Sequence, residues 1–147
     1  MGDVGNFDIS GKPCALIFRF DGDIEKLLND AARRCADDKI VLLIRYDDKY
    51  LDMLVPAYVN ALVRKREGSM KANTIEKETL LFIAHTLNIR EAIERAGMKR
   101  GTCILFSNDE ETAKDFASVE KLVITKEISI SLDFDSSKYV ADLGTGD

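Results

Sequence analysis

A chain of 147 residues with 46% hydrophobic and 32% charged side chains has the composition of one ordinary globular domain, and at this size about 68–70% of the unfolded surface is buried on folding. No apolar run approaches the roughly 20 residues that span a bilayer, and the start, MGDVGNFDISGKP, lacks the basic and apolar segments of a secretory signal, so a cytoplasmic location without membrane contact is expected. The net charge of -5 is uneven: residues 1–48 carry 7 basic and 10 acidic side chains, residues 49–106 carry 10 and 6, and residues 107–147 carry 4 and 10. Global attraction to nucleic acid is thereby excluded, while a focal anion-binding face in the middle third is allowed.

Pro13 to Phe20 is a compact apolar run that predicts a buried strand, broken by Asp21-Gly22-Asp23. Ile24, Leu27, Leu28, Ala31 and Cys35 recur at helical spacing behind Asp23 as cap, and Ile40 to Tyr46 predicts a second strand. Strand, helix, strand in that order suggests a crossover with parallel strands. After Asp47-Asp48 a helical pattern runs to about Arg66, with Leu51, Leu54, Val55, Tyr58, Ala61 and Leu62 on one face. Pro56 interrupts it, which predicts either a kink or a start near Val55. Arg64-Lys65-Arg66 closes the helix in a basic turn, where positive charge also suits the helix dipole.

Lys71 to Gly97 predicts two short capped helices with almost no linker. Asn73 and Glu76 form a capping-box pattern, so the first helix begins near Thr74. Ile75, Thr79, Leu80, Phe82 and Ile83 are its buried face, and Glu76, Lys77 and Glu78 are expected near the solvated start. Asn88 and Glu91 repeat the pattern, followed by Ile89, Ala92, Ile93 and Ala96 with Gly97 as terminator. Each cap contributes about 1 kcal/mol. Thr102 to Ser107 is a third strand, Asn108 or Asp109 caps a helix to about Ser118, and Lys121 to Leu132 supplies one or two further strands before a polar end, Asp142 to Asp147, expected to fray. The fold class is α+β (mixed α/β): a single domain over residues 1–147, with a small sheet of about three to five strands against about five helices.

No constellation for catalysis is visible. There is no phosphate-cradling Gly-Lys-Ser/Thr loop and no nucleophile elbow, and His85 is the only imidazole. Cys14, Cys35 and Cys103 lie far apart with no CxxC pair, which fits reduced, buried thiols rather than a metal site. Acid pairs such as Asp21/Asp23, Asp37/Asp38 and Asp47/Asp48 sit at element boundaries as caps and turns. The chain therefore reads as a binding module, not an enzyme, with no cofactor and no small-molecule substrate. Arg64, Lys65, Arg66 and Lys71 bracket a short loop around Gly68, and Arg90 joins them if the two short helices fold back; these five are the candidate residues of the anion-binding face.

Ala57 and Ala61, then Ile75, Glu78, Leu80, Leu81, Ile89, Ala92, Ile93 and Gly97 form a pattern that resembles the TPRKB family, the small kinase-binding subunit of the KEOPS complex. The resemblance is strong over about half the chain. It implies a non-catalytic subunit that docks on and activates the complex's small atypical protein kinase, holds the 3′ CCA end of tRNA, and so supports threonylcarbamoyl-adenosine synthesis. Thr74 stands where the family usually has Ser, Ala84-His85 replaces its Ser-Gly pair, and Leu87 replaces its arginine, which puts any contact of that arginine in doubt. Two alternatives come from the residues themselves. A helix-turn-helix DNA-binding module would use Asn88 to Ala96 as reading helix, but Arg90 and Arg95 are balanced by Glu91 and Glu94. A protein-protein adaptor without nucleic acid is the other.

Overall fold

The computed structural model describes residues 12–36 and 38–130. The elements run β1 (Cys14–Phe20), α1 (Ile24–Arg34), β2 (Leu42–Arg45), α2 (Asp48–Glu67), α3 (Ile75–Ala84), α4 (Ile89–Ala96), β3 (Gly101–Ser107), α5 (Glu110–Val119) and β4 (Val123–Ser129). The four strands form one sheet in the order β2-β3-β1-β4, with every neighbouring pair antiparallel. The α+β expectation, five helices and a small sheet, is met among the described residues.

The sheet order keeps the crossover with parallel strands expected from sequence and sets a third strand inside it. β1 and β2 do run in the same direction, but β3 lies between them and hydrogen-bonds to both; β3 and β4 likewise flank β1. Two interleaved strand-helix-strand units of this kind make a split β-α-β sheet, with α2, α3 and α4 inserted between the units. Pairing is antiparallel throughout because the strands of each parallel pair, β1 with β2 and β3 with β4, are separated by one strand that runs the other way.

Both faces are covered over β1, β2 and β3, which is why those strands read as apolar runs, whereas residues 123–127 of the edge strand β4 are exposed. Cys14, Leu16, Phe18, Leu43, Cys103 and Leu105 point toward α1 and α5, meeting Leu27, Ala31, Ala113 and Phe116. The alternate residues Ala15, Ile17, Leu42, Ile44, Ile104 and Phe106 meet Leu54, Tyr58, Leu81, Ile83 and Ala96 of the inserted helices. Burial raises the Cys14 and Cys35 thiols to about 11, Cys14 further through Glu127, so both stay protonated and unreactive. At the end of β3, Asn108 accepts from Ile40 N at 2.9 Å and donates to Asp38 O at 2.6 Å and to Tyr58 Oη at 3.0 Å, tying loop, sheet and α2 together. The cap of α5 is therefore Asp109, which accepts from Thr112 N.

Two local details differ from the sequence reading. α2 is one helix of 20 residues that starts behind Asp47 and passes through Pro56, not one that begins near Val55. The bond Pro56 cannot make belongs to the carbonyl of Asp52, a residue exposed to water. α3 is capped by Thr74, whose hydroxyl accepts from Lys77 N, rather than by Asn73. Lys121 to Leu132 holds one strand, β4, within the described residues, and the frayed end expected at Asp142 to Asp147 lies outside them.

Candidate functional site

The basic turn between α2 and α3 is built from the helix end outward. Gly68 takes a left-handed conformation (φ 70°), and its N–H bonds to Lys65 O at 3.2 Å while Ser69 N bonds to Arg64 O at 2.9 Å. That pair of bonds is a Schellman closure, which favours glycine because φ is positive. An added Cβ at Gly68 would meet nothing within 4 Å, so the requirement there is conformational and not steric. The chain then passes Lys71 and Ala72 into the cap at Thr74.

Beneath this turn sits Glu78, which is fully buried. Its Oε1 accepts from Lys71 N at 2.9 Å and Ala72 N at 2.7 Å, and its Oε2 accepts from Arg64 Nη1 at 2.8 Å. The Arg64 guanidinium also lies over the Phe82 ring, 4.2 Å from its centroid, and its side chain is 19% exposed. A buried carboxylate with only one partner would be costly; here an arginine and two backbone amides share it. Sequence reasoning set Glu78 in the solvated first turn. The signal against that was its spacing from Ile75 (i+3) and Phe82 (i+4), which puts the carboxylate on the apolar stripe of α3.

The five candidate residues thus fall into three groups. Arg64 is turned inward to Glu78 and Phe82. Lys65, Arg66 and Lys71 have exposed side chains around Gly68. Arg90 is exposed in the first turn of α4, beyond the C-terminal end of α3, whereas Glu78 ties the basic turn to the N-terminal half of that helix. The structure therefore gathers four of the five at one turn and puts Arg90 at the other end of α3, a helix of ten residues, about 15 Å long.

The α3–α4 turn accounts for one departure from the TPRKB pattern. His85 adopts φ 55°, ψ 50° as the left-handed cap of α3, with His85 N on Phe82 O at 3.3 Å and Thr86 N on Leu81 O at 3.2 Å. His85 occupies the place of the pattern's glycine, so the substitution falls on a backbone requirement. Leu87, in place of the arginine, is 63% exposed. Asn88 caps α4 by accepting from Arg90 N and Glu91 N, but Glu91 does not return to Asn88 N as a capping box would; its carboxylate takes Thr86 Oγ1 and Arg95. Arg95 also reaches Ala84 O at 3.0 Å, and Arg45 holds the other end of α4 through Gly97 O and Glu94 O. α4 buries only Ala92 and Ala96 of its apolar face, leaving Ile93 53% exposed. Burial does not disqualify it as a groove reader; its balanced charges, with Arg95 committed to Glu91 and to α3 carbonyls, do.

Among the described residues no helix is long and apolar enough to cross a membrane. No curated protein matches the chain. A family model does: residues 51–143, from α2 through β4 and beyond, match kinase binding protein CGI-121. Since that match covers well over half of the sequence, including both capped helices and the basic turn, the chain belongs to the kinase binding protein CGI-121 family, the TPRKB family that its apolar pattern resembles.

Proposed function

We propose that this protein is a non-catalytic, cytoplasmic subunit of the KEOPS tRNA-modification complex that docks on and activates the complex's small atypical protein kinase and holds the 3′ CCA end of tRNA. The observation that carries the reading is the family match over residues 51–143. The RNA half is supported by the exposed cations Lys65, Arg66 and Lys71 around Gly68, a turn whose glycine lets a backbone approach closely. Arg90 marks a second contact, so that a single strand would run along α3 from the turn toward α4. Arg64 belongs to the same site as its inner support. Bases of a single strand are held by stacking as well as by phosphate neutralisation, and with roughly three phosphates neutralised the log-log salt slope is about -2.

The test has two arms. Intact tRNA and tRNA lacking CCA are titrated against wild type and a Lys65→Glu, Lys71→Glu variant, which spares the buried pair beneath. Wild type binds intact tRNA best; equal binding in all four combinations would sink the RNA half. Co-purification with the kinase at micromolar concentration tests the docking half independently, and failure to associate there removes it. Kinase association without CCA dependence would select the adaptor reading, and preference for duplex DNA the groove-reading one.

A further inference from the structure

Glu78 is the most deeply buried charged side chain near the basic turn, and all three of its recorded donors come from that turn or from the helix end that leads into it. The amides of Lys71 and Ala72, successive in the chain, converge on one carboxylate oxygen, the arrangement by which backbone nests hold anions. The other oxygen takes Arg64, whose opposite commitment is the Phe82 ring one helical turn further along α3. Three segments are thereby pinned to one carboxylate: the last turn of α2, the bend at residues 71–72, and α3 itself.

We infer that Glu78 is a positioning residue for anion binding at this turn, fixing the backbone from which Lys65, Arg66 and Lys71 project. This inference rests on the RNA reading above. The charges make it testable. Arg64 and Glu78 neutralise one another, so the field of the turn is set by side chains other than this pair. If charge alone governed binding, removing Glu78's negative charge would strengthen the hold on an anionic strand. Positioning predicts the reverse, because a loosened turn must be ordered again each time the strand binds.

The experiment compares wild type, Glu78→Gln, Glu78→Asp and the double variant Arg64→Met, Glu78→Gln for affinity to intact tRNA and for hydrogen exchange at the Lys71 and Ala72 amides. In Glu78→Gln the carboxamide must set its donors against either Arg64 or the two backbone N–H groups, so the turn loosens, both backbone amides exchange faster, and affinity falls about tenfold. The double variant removes the stranded guanidinium, lets the glutamine oxygen keep the two amides, and recovers most of that loss at unchanged net charge. Glu78→Asp keeps the charge and folds with Arg64 neutralised, but one methylene shorter it cannot hold arginine and both amides, so it too loses protection and affinity. Equal or tighter binding by Glu78→Gln overturns the inference. So does unaltered exchange in Glu78→Asp, or a double variant no better than the single one. If wild type itself shows no CCA-dependent binding, the RNA reading fails, while the exchange data still report whether Glu78 holds the turn.

Discussion

α2 and α3 end in the same way and are held in opposite ways. Both close with a Schellman pair of bonds around a left-handed residue, Gly68 in one and His85 in the other. After Gly68 the turn is anchored from below by a buried carboxylate that reaches up to backbone amides and an arginine. After His85 the turn is anchored from outside, by Arg95 reaching carbonyls at the surface and by Thr86 and Asn88 capping the next helix. An anchor buried under a turn does not itself occupy the turn's outer surface. An anchor laid over a turn occupies that surface, which is a physical reason to look for the anion site at the first turn.

Three substitutions sharpen the contrast. Glu78→Ala strands Arg64 and two amides in the interior and is expected to cost about 3–5 kcal/mol of unfolding free energy, read from urea denaturation. A loss below about 1 kcal/mol would mean that the buried pair is dispensable and the two turns are alike. Gly68→Ala meets open space, so its expected cost of about 1 kcal/mol is purely that of a side chain at positive φ. His85→Gly is the mirror change: relief of the left-handed strain exceeds the entropy that glycine adds to the unfolded chain, and stability rises by about 0.5 kcal/mol. Thermal melts of the two variants should therefore shift in opposite directions, and a shared direction would show that the histidine side chain, not its backbone, decides the second turn.

What the sequence shows of this molecule depends on the range of the interactions. Strands β1, β2 and β3, the Asp23, Asn88 and Asp109 caps, and Gly68 at the basic turn follow from residues within a few positions of one another. The sheet order does not, because β1 meets β3 across more than eighty residues of chain and nothing local distinguishes a neighbouring parallel strand from one separated by a third. Pro56 misleads for a similar reason: its local cost is real, but Leu54, Ala57, Tyr58 and Ala61 around it are buried and hold the helix together. At the site, the basic residues were visible and their roles were not. Arg64 looks like Lys65 and Arg66 in sequence; only Glu78, fourteen positions on, turns it inward.

The interleaving of the sheet has a consequence for how the chain is made. Of the four described strands β1 and β2 are the first to leave a ribosome, yet neither is the other's neighbour, and each depends on β3, which ends at Ser107. Until then two apolar strands have no partner, whereas α2, α3 and α4 join neighbours in sequence and can associate at once. The inserted helices are thus the early, local part of the fold and the sheet is its late, long-range part. Cys14 to Phe18, buried in the finished protein, are the segment with the longest wait and the greatest need of protection from aggregation during synthesis.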